Sequence, residues 1–164
     1  MSRSLEFETA PLWTMLRGIA GFQKAVNFYP PYIGAGIRMK EMAEDLSYII
    51  TEMDLNFFNT NYVGSHFGGS LYAMCDPFYM FLLIERLGKD YIVWDKSARI
   101  DFLKPGRGRV EARFEITQTV LEQIKEAVAQ KRHTDWDFET QITDEQNNII
   151  AKVYKTLYIR RKKK

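Results

Sequence analysis

The chain has 164 residues, of which 46% are apolar and 27% charged, the composition of one globular domain with a substantial core. Its net charge is +2, but the five residues of the tail 160–164 are all basic. The remainder holds 18 basic and 21 acidic side chains, a net charge of −3, which excludes a nucleic-acid footprint over the whole domain. The tail is predicted to be a solvated terminus, with contact to phosphates or an anionic surface as the alternative.

Several classes of protein and site are excluded by residue counts. The single cysteine, Cys75, rules out an internal disulfide framework and fits a reducing compartment. Two distant histidines and one cysteine provide no zinc-ligand cluster, so we expect neither metal nor cofactor. No apolar run is long enough to span a membrane, and acidic residues near the N-terminus do not fit a secretory signal. We therefore expect a cytoplasmic protein of one domain, residues 1–164.

The first predicted element is a helix over residues 11–28, where apolar side chains recur at helical spacing until Pro30 and Pro31 stop the pattern. It is predicted to pack against the domain or a partner, with a membrane-surface position as the alternative. Residues 46–56 are predicted to form a strand. A mostly apolar run then continues to Leu87 and ends at Gly88, a typical residue to follow a helix.

Four further strands are predicted after that helix. Residues 91–102 alternate, with Ile92 and Trp94 on one face and Asp95 on the other. The other three are predicted near residues 109–117, 134–143 and 148–159, with a turn at 104–108, a short helix over 120–130 and a turn at 144–148. Short connections imply antiparallel pairing, and one-sided alternation implies a sheet with one buried face.

The long central helix differs from an ordinary amphipathic helix, because apolar residues cover nearly its whole circumference. A helix that is apolar all round is buried all round. The predicted fold is therefore α+β, with a curved antiparallel sheet wrapped around one buried helix and an extra N-terminal helix.

The stretch NYVGSHFGGSLYAMCDPF, residues 61–78, concentrates the polar and glycine residues that could form a site. In one interpretation Asp76 caps a helix that starts at Pro77, while Asn61, Ser65 and His66 are ordinary loop residues. In the other, the helix starts near Gly68 or Gly69, whose backbone N–H groups could polarise a carbonyl. Asp76 would then be a general base or nucleophile, and Asn61 would orient water or the carbonyl.

The second interpretation has a geometric consequence. Seven helical residues separate Gly69 from Asp76, which is roughly 10 Å at the rise of an α-helix. The two groups could act on one substrate only if they came from different subunits. This interpretation therefore requires a dimer with the two helices side by side and antiparallel.

Three segments of the chain, NFYPPYIGAGIRMKE, NYVGSHFGGSLYAMCDPFYM and YIVWDKSARIDFLKPGRGRV, resemble the hotdog-fold thioesterase superfamily, and more closely its DUF4442 branch, a relative of the phenylacetyl-CoA thioesterases. That group has an Asn, then His-Gly-Gly, then an acidic residue seven positions after the second Gly. These positions fall on Asn61, Gly68, Gly69 and Asp76, while Phe67 holds the histidine position and His66 precedes it.

The resemblance implies a hotdog fold, a site shared across a homodimer or a dimer of dimers, and an acyl-CoA or related acyl thioester as substrate. Catalysis would fall to Asp76, Asn61 and Gly69, and substrate binding to Gly68, Ser65, His66 and Phe67. The phosphates of CoA would require cations, for which the candidates are Lys96, Arg99, Lys104, Arg107 and Arg109. The alternatives are a non-catalytic acyl or lipid binder, a hydratase in which only His66 could serve as the catalytic histidine, and a structural oligomer. No nucleic-acid or membrane partner is expected.

Overall fold

The computed structural model describes residues 10–162 and shows six strands and six helices in that range. In chain order these are α1 (Pro11–Ala20), α2 (Phe22–Asn27), α3 (Pro30–Ala35), β1 (Ile37–Met42), β2 (Tyr48–Asp54), α4 (Gly68–Ala73), α5 (Phe78–Leu87), β3 (Tyr91–Phe102), β4 (Arg109–Glu115), α6 (Gln118–Lys131), β5 (His133–Asp144) and β6 (Ile149–Arg161).

All strands belong to one antiparallel sheet with the order β1-β2-β4-β5-β6-β3. Its inner face packs on α5, whose Phe78, Leu82 and Leu83 are fully buried. Phe78 stacks on Phe114 of β4 with ring centroids 5.1 Å apart. The α+β class and the sheet wrapped around a central helix are thus confirmed, and β3 and β1 are left as the edge strands.

The N-terminal segment departs from the single predicted helix. Gly21 adopts a positive φ of 79°, which ends α1 and lets α2 begin at the next residue. Pro30 does not end the helical region but starts α3, because a first-turn residue needs no N–H group. The predicted strand 46–56 is shorter, and it pairs with a strand that was not predicted, β1.

The central helix is not continuous. α4 and α5 are separated by Met74–Pro77, so helix begins both at Gly68 and after Pro77. Pro77 itself occupies the N-cap position of α5 and no side chain caps that helix, so the interpretation of Asp76 as a cap is wrong. The prediction that the central helix is buried on all sides is also wrong. One face of α5 is open, because Ile84 is 39% exposed and Phe81 is half-buried.

At the C-terminus, the first residues of the predicted basic tail belong to the sheet. Arg160 and Arg161 pair with His133 and Tyr91 at the end of β6. Lys163 and Lys164 lie outside the described residues. No helix within residues 10–162 is long and apolar enough to cross a membrane.

Candidate active site

The interruption between α4 and α5 determines where Asp76 lies. Thr51 of β2 donates a hydrogen bond of 3.1 Å to the Met74 carbonyl, an oxygen that a continuous helix would have used internally. The N–H of Asp76 bonds the Ala73 carbonyl at 3.3 Å, and the chain then turns into α5. The Asp76 side chain is 48% exposed, so it projects from the buried helix junction toward open space.

Asp76 is held by two side chains that bind the same carboxylate oxygen. The Tyr72 hydroxyl donates to Asp76 Oδ1 at 2.6 Å, and Lys155 Nζ donates to it at 2.7 Å. Asp76 Oδ2 has no hydrogen-bond partner among residues 10–162. One oxygen is therefore fixed and the other is free to accept a proton.

Lys155 is the unexpected member of this cluster, because it is 1% exposed and lies on the inner face of β6. Its ammonium is 3.0 Å from Asp95 Oδ1 and 3.2 Å from the Tyr72 hydroxyl oxygen. Burial lowers the pKa of Lys155, but the hydrogen bond to Asp76 and the charge of Asp95 outweigh it, and the net shift is upward. Lys155 is therefore a permanent cation, and we call Tyr72, Asp76, Asp95 and Lys155 the charge cluster.

Asp95 corrects the face assignment made for its strand. Asp95 follows buried Val93 by two residues and pairs with buried Leu157, so its side chain faces the core and Lys155. The bulge between Asp95 and Ser97 then reverses the alternation, so that Ile100 also packs against the core. Burial raises the pKa of Asp95, and Lys155 offsets only part of that rise.

Cys75, next to Asp76, is fully buried, and burial raises its thiol pKa so that it stays neutral.

Asp76 also lines an apolar groove of about 500 Å³ between α5 and the N-terminal helices. Phe81 and Ile84 of α5 form one side, and Trp13, Phe22 and Tyr32 lie opposite. This volume is in the range of small-molecule sites, which combine mainly apolar walls with a few polar groups.

The other predicted motif residues gather elsewhere. Asn61, Ser65, His66, Gly68 and Lys104 line a shallower cavity of about 380 Å³. Asn61 is engaged in its own loop, since its side-chain nitrogen donates to Ser65 Oγ at 2.9 Å and its oxygen accepts from two backbone N–H groups at 3.0 Å. The structure thus separates Asp76 from the loop residues within one subunit.

His66 is 2% exposed, and its Nε2 lies 2.9 Å from the Gly108 carbonyl. Burial lowers the pKa of His66, and the Gly108 carbonyl opposes that shift only in part. A neutral ring whose Nε2–H donates to Gly108 satisfies this geometry, and Nδ1 is left without a partner among the described residues. This ring links the loop to the turn between β3 and β4.

Gly68 and Gly69 open α4, and neither N–H group has an acceptor among residues 10–162. Phe67 lies directly beside them: a Cβ on Gly69 would stand 2.4 Å from the Phe67 ring. Phe67 is 56% exposed, so at this histidine position of the pattern an apolar surface replaces a titratable group.

The predicted phosphate-binding cations differ in how far they are already paired. Lys96 contacts Asp135, and Arg99 pairs with Asp101 at 3.1 Å. Arg109 binds Asp54 at 2.8 Å. Lys104 makes only a 3.4 Å contact to Asn148, and Arg107 is exposed without a polar partner in the described range. Lys104, which lines the shallower cavity, and Arg107 are therefore the cations most available to a ligand. In the same range no three His, Cys, Asp or Glu residues are arranged to hold a metal ion.

A family model described as a domain of unknown function, DUF4442, matches residues 18–159. The chain belongs to the DUF4442 family. The sequence matches none of the curated proteins with which it was compared. The family assignment agrees with the resemblance seen in the sequence, and it covers α5, the first five strands and β6 as far as Ile159.

Solved structures share the fold of this DUF4442 protein. A protein of unknown function from Pseudomonas aeruginosa, described as a probable thioesterase, has a TM-score of 0.74 at 17% identity, over 85% of this chain and 93% of that one. A thioesterase from Haemophilus influenzae has a TM-score of 0.61 at 16% identity, covering 94% and 93%. The PaaI protein of the E. coli phenylacetic acid degradation operon has 0.58 at 15%, covering 85% and 89%. These likenesses establish the hotdog fold.

Sequence reasoning missed Lys155, although a signal was present. In β6 the inward positions alternate as Ala151, Val153, Lys155, Leu157 and Ile159, so a lysine stands in an otherwise apolar row. A lysine on a buried face must be paired, which would have directed attention to a carboxylate partner.

Proposed function

We propose that this DUF4442 protein hydrolyses acyl thioesters, with Asp76 as the general base. The observation that carries the proposal is a half-exposed carboxylate with one oxygen fixed by Lys155 and Tyr72 and the other free, beside an apolar groove. A base in a fixed position contributes to proton transfer without the cost of being ordered during the reaction.

The reaction then proceeds by addition of water. Asp76 Oδ2 accepts a proton from a water molecule, whose oxygen adds to the thioester carbonyl carbon. The carbon–sulfur bond breaks as the carbonyl re-forms, and the leaving thiolate takes up the proton held by Asp76, which returns to the carboxylate form. The products are a carboxylic acid and a free thiol.

The oxyanion needs hydrogen-bond donors, and the free N–H groups of Gly68 and Gly69 are candidates if they come from a second subunit. Two features support such a partner. β3 is a twelve-residue edge strand, and exposed edges of this length pair with other chains unless they are protected. The loop before α4 exposes a set of large apolar side chains: Phe57, Phe58, Tyr62, Val63 and Phe67. We therefore propose a homodimer with a shared site and acyl-CoA as the substrate form.

Asp76→Asn is the direct test, because it keeps the size of the side chain and removes its basicity. We expect hydrolysis of acyl-CoA substrates, assayed from short to long and aromatic acyl groups, to fall by about 10²–10⁴. Asp137→Asn on the exposed face of β5 is the matched control and should retain full activity, because an asparagine oxygen can still accept from Thr156. Undiminished turnover by Asp76→Asn would rule out the proposed base.

The shared site can be tested by subunit mixing. Gly69→Pro removes one N–H group in the first turn of α4, where that group has no acceptor within residues 10–162. If Gly69 and Asp76 of different subunits form one site, mixing inactive Gly69→Pro and inactive Asp76→Asn chains should restore part of the activity. A monomer in sedimentation at micromolar concentration, or no recovery on mixing, would contradict the shared site.

A non-catalytic acyl binder is the second candidate, and the Lys155–Asp76 ion pair favours it, because the ammonium and the Tyr72 hydroxyl engage Asp76 in a network that can serve structure alone. Calorimetric binding of acyl-CoA without release of free CoA would support this candidate. Release of CoA that depends on Asp76 would exclude it.

A further inference from the structure

The groove beside Asp76 runs along one face of α5. Pro77, Phe81 and Ile84 follow one another at spacings of four and three residues, which places them in a row on that face. From Asp76 to Glu85 the groove follows nine residues, roughly 13 Å at the rise of an α-helix. The floor is therefore a narrow apolar strip with a carboxylate at its start.

The roof is supplied by the N-terminal helices. Phe22 of α2 packs edge-on against Phe81 with ring centroids 5.4 Å apart, and Trp13 of α1 packs against Tyr29 at 5.4 Å. At the Glu85 end, Arg17 of α1 binds both carboxylate oxygens of Glu85, at 2.8 and 2.9 Å. This ion pair lies at the end of the strip that is distant from Asp76.

The groove offers no free cation to a second polar group of a ligand. Arg17 is the only cation that lines it within the described residues, and its guanidinium is already committed to Glu85. A ligand with a carboxylate at its far end would meet Glu85 without an available partner. The walls therefore select an uncharged apolar group.

A polar ligand atom is nevertheless expected near Asp76. Tyr32 borders the groove, is 3% exposed, and its hydroxyl has no hydrogen-bond partner among residues 10–162. Burial and the charges of Asp76 and Asp95 raise the pKa of Tyr32, so the hydroxyl is always protonated and remains a donor. A buried hydroxyl without an acceptor is costly, and a carbonyl oxygen would remove that cost.

We propose that this groove binds the acyl group of a pantetheine thioester, as an uncharged medium-length or aryl-ended chain, with Tyr32 donating to its carbonyl. The inference rests on the thioester substrate proposed above and adds to it the class of acyl group. The chain extends from Asp76 toward the Arg17–Glu85 pair, which limits its length.

The test uses S-alkyl-pantetheine thioethers of increasing chain length, which cannot be hydrolysed and carry the arm common to CoA and acyl carrier protein. In calorimetric titrations we expect affinity to rise about two- to fourfold per methylene and then level off where the groove ends. No binding, or affinity independent of chain length, overturns the proposal.

Ile84→Trp fills part of the groove floor, so the affinity should level off at a shorter chain length. Ile19→Trp is the matched control, since Ile19 is 79% exposed on α1 and lines neither this groove nor the shallower cavity, and it should leave the plateau unchanged. Equal behaviour of the two variants would show that the chain binds elsewhere. The thioethers report binding without hydrolysis, so the two proposals can fail separately. Chain-length selectivity in a protein that hydrolyses no thioester would refute only the proposed function. Hydrolysis whose chain-length preference is unchanged by Ile84→Trp would refute only this inference.

The Tyr32 contact is tested with S-(2-oxoalkyl)-pantetheine ketones, which are not hydrolysed and carry a carbonyl one methylene away from the sulfur. Tyr32→Phe should weaken ketone binding about three- to tenfold and leave thioether binding unchanged. It should also not lower the melting temperature, because the removed hydroxyl had no partner. Tyr79→Phe is the control: its hydroxyl donates to the Glu139 carbonyl at 2.7 Å, so that variant should lose stability and keep ligand affinity. If Tyr32→Phe weakens the binding of ketone and thioether equally, Tyr32 does not donate to the carbonyl.

Discussion

Replacing Lys155 by methionine tests whether the charge cluster holds the site together. Methionine has a similar length and no charge, so the change leaves Asp76 and Asp95 close to each other without their shared cation. Breaking a buried ion pair by removing one partner costs about 3–5 kcal/mol. Because the Asp76 side chain is 48% exposed and water can solvate it, we expect the lower end, about 3 kcal/mol, in unfolding free energy at neutral pH.

The pH dependence of that loss follows from Asp95. Burial already raises the pKa of Asp95, and without Lys155 it would rise further. A carboxyl with a folded-state pKa above its unfolded value destabilises the protein at neutral pH, and this penalty is relieved as pH falls through the folded pKa. The difference between the parent protein and Lys155→Met should therefore narrow from pH 7.5 to pH 5.

Urea unfolding at the two pH values measures both effects. Lys152→Met is the matched control, because Lys152 lies on the same strand and makes only a 3.7 Å partly exposed pair with Glu139. That variant should lose less than about 1 kcal/mol at either pH. The reasoning is refuted if the two variants are equally stable, or if the loss in Lys155→Met does not change with pH.

Two further predictions concern the loop before α4 and its supports. His66 has a pKa below its unfolded value, so its contribution to stability is present above about pH 6.5 and is lost as pH falls, by at most about 1.4 kcal/mol per unit. His66→Gln should flatten that acid decline in urea unfolding and His133→Gln should not; identical slopes would contradict this. Gly69→Ala should change the melting temperature little, because its new Cβ meets only the exposed Phe67 ring. Gly36→Ala should cost at least about 1 kcal/mol, since its φ is +72° and the Cβ would lie 2.8 Å from Asn56; equal melting temperatures would refute the comparison.

The sheet could be predicted from sequence because one of its faces is buried and the other is not, so alternation marks each strand. β4 shows this clearly, with Val110, Ala112 and Phe114 buried between polar residues. β1 escaped prediction because it is six residues long and only two of them, Ile37 and Met39, are fully buried apolar side chains. A pattern this short is not distinct from a loop.

The site was predictable only where local spacing decides it. The helix-start interpretation and the family pattern together made Asp76 a candidate, which stays a prediction, and the structure places its side chain beside a groove. The partners of Asp76 could not be read in the same way. A β-bulge after Asp95 reverses the alternation of β3, so Asp95 and the later Ile100 both face the core, and a bulge has no clear sequence signal. Long-range contacts of this kind depend on the register of β3 against β6, which only the folded sheet defines.

The charge cluster also determines when the site can form during folding. Asp76 and Lys155 are 79 residues apart along the chain, and Asp95 reaches Lys155 only after β3 has paired with β6. Closing such a loop is entropically costly, so we expect these contacts to form after the folding transition state. Lys155→Met should then speed unfolding and leave the folding rate nearly unchanged in stopped-flow measurements. An equal slowing of folding would show that the cluster belongs to the nucleus.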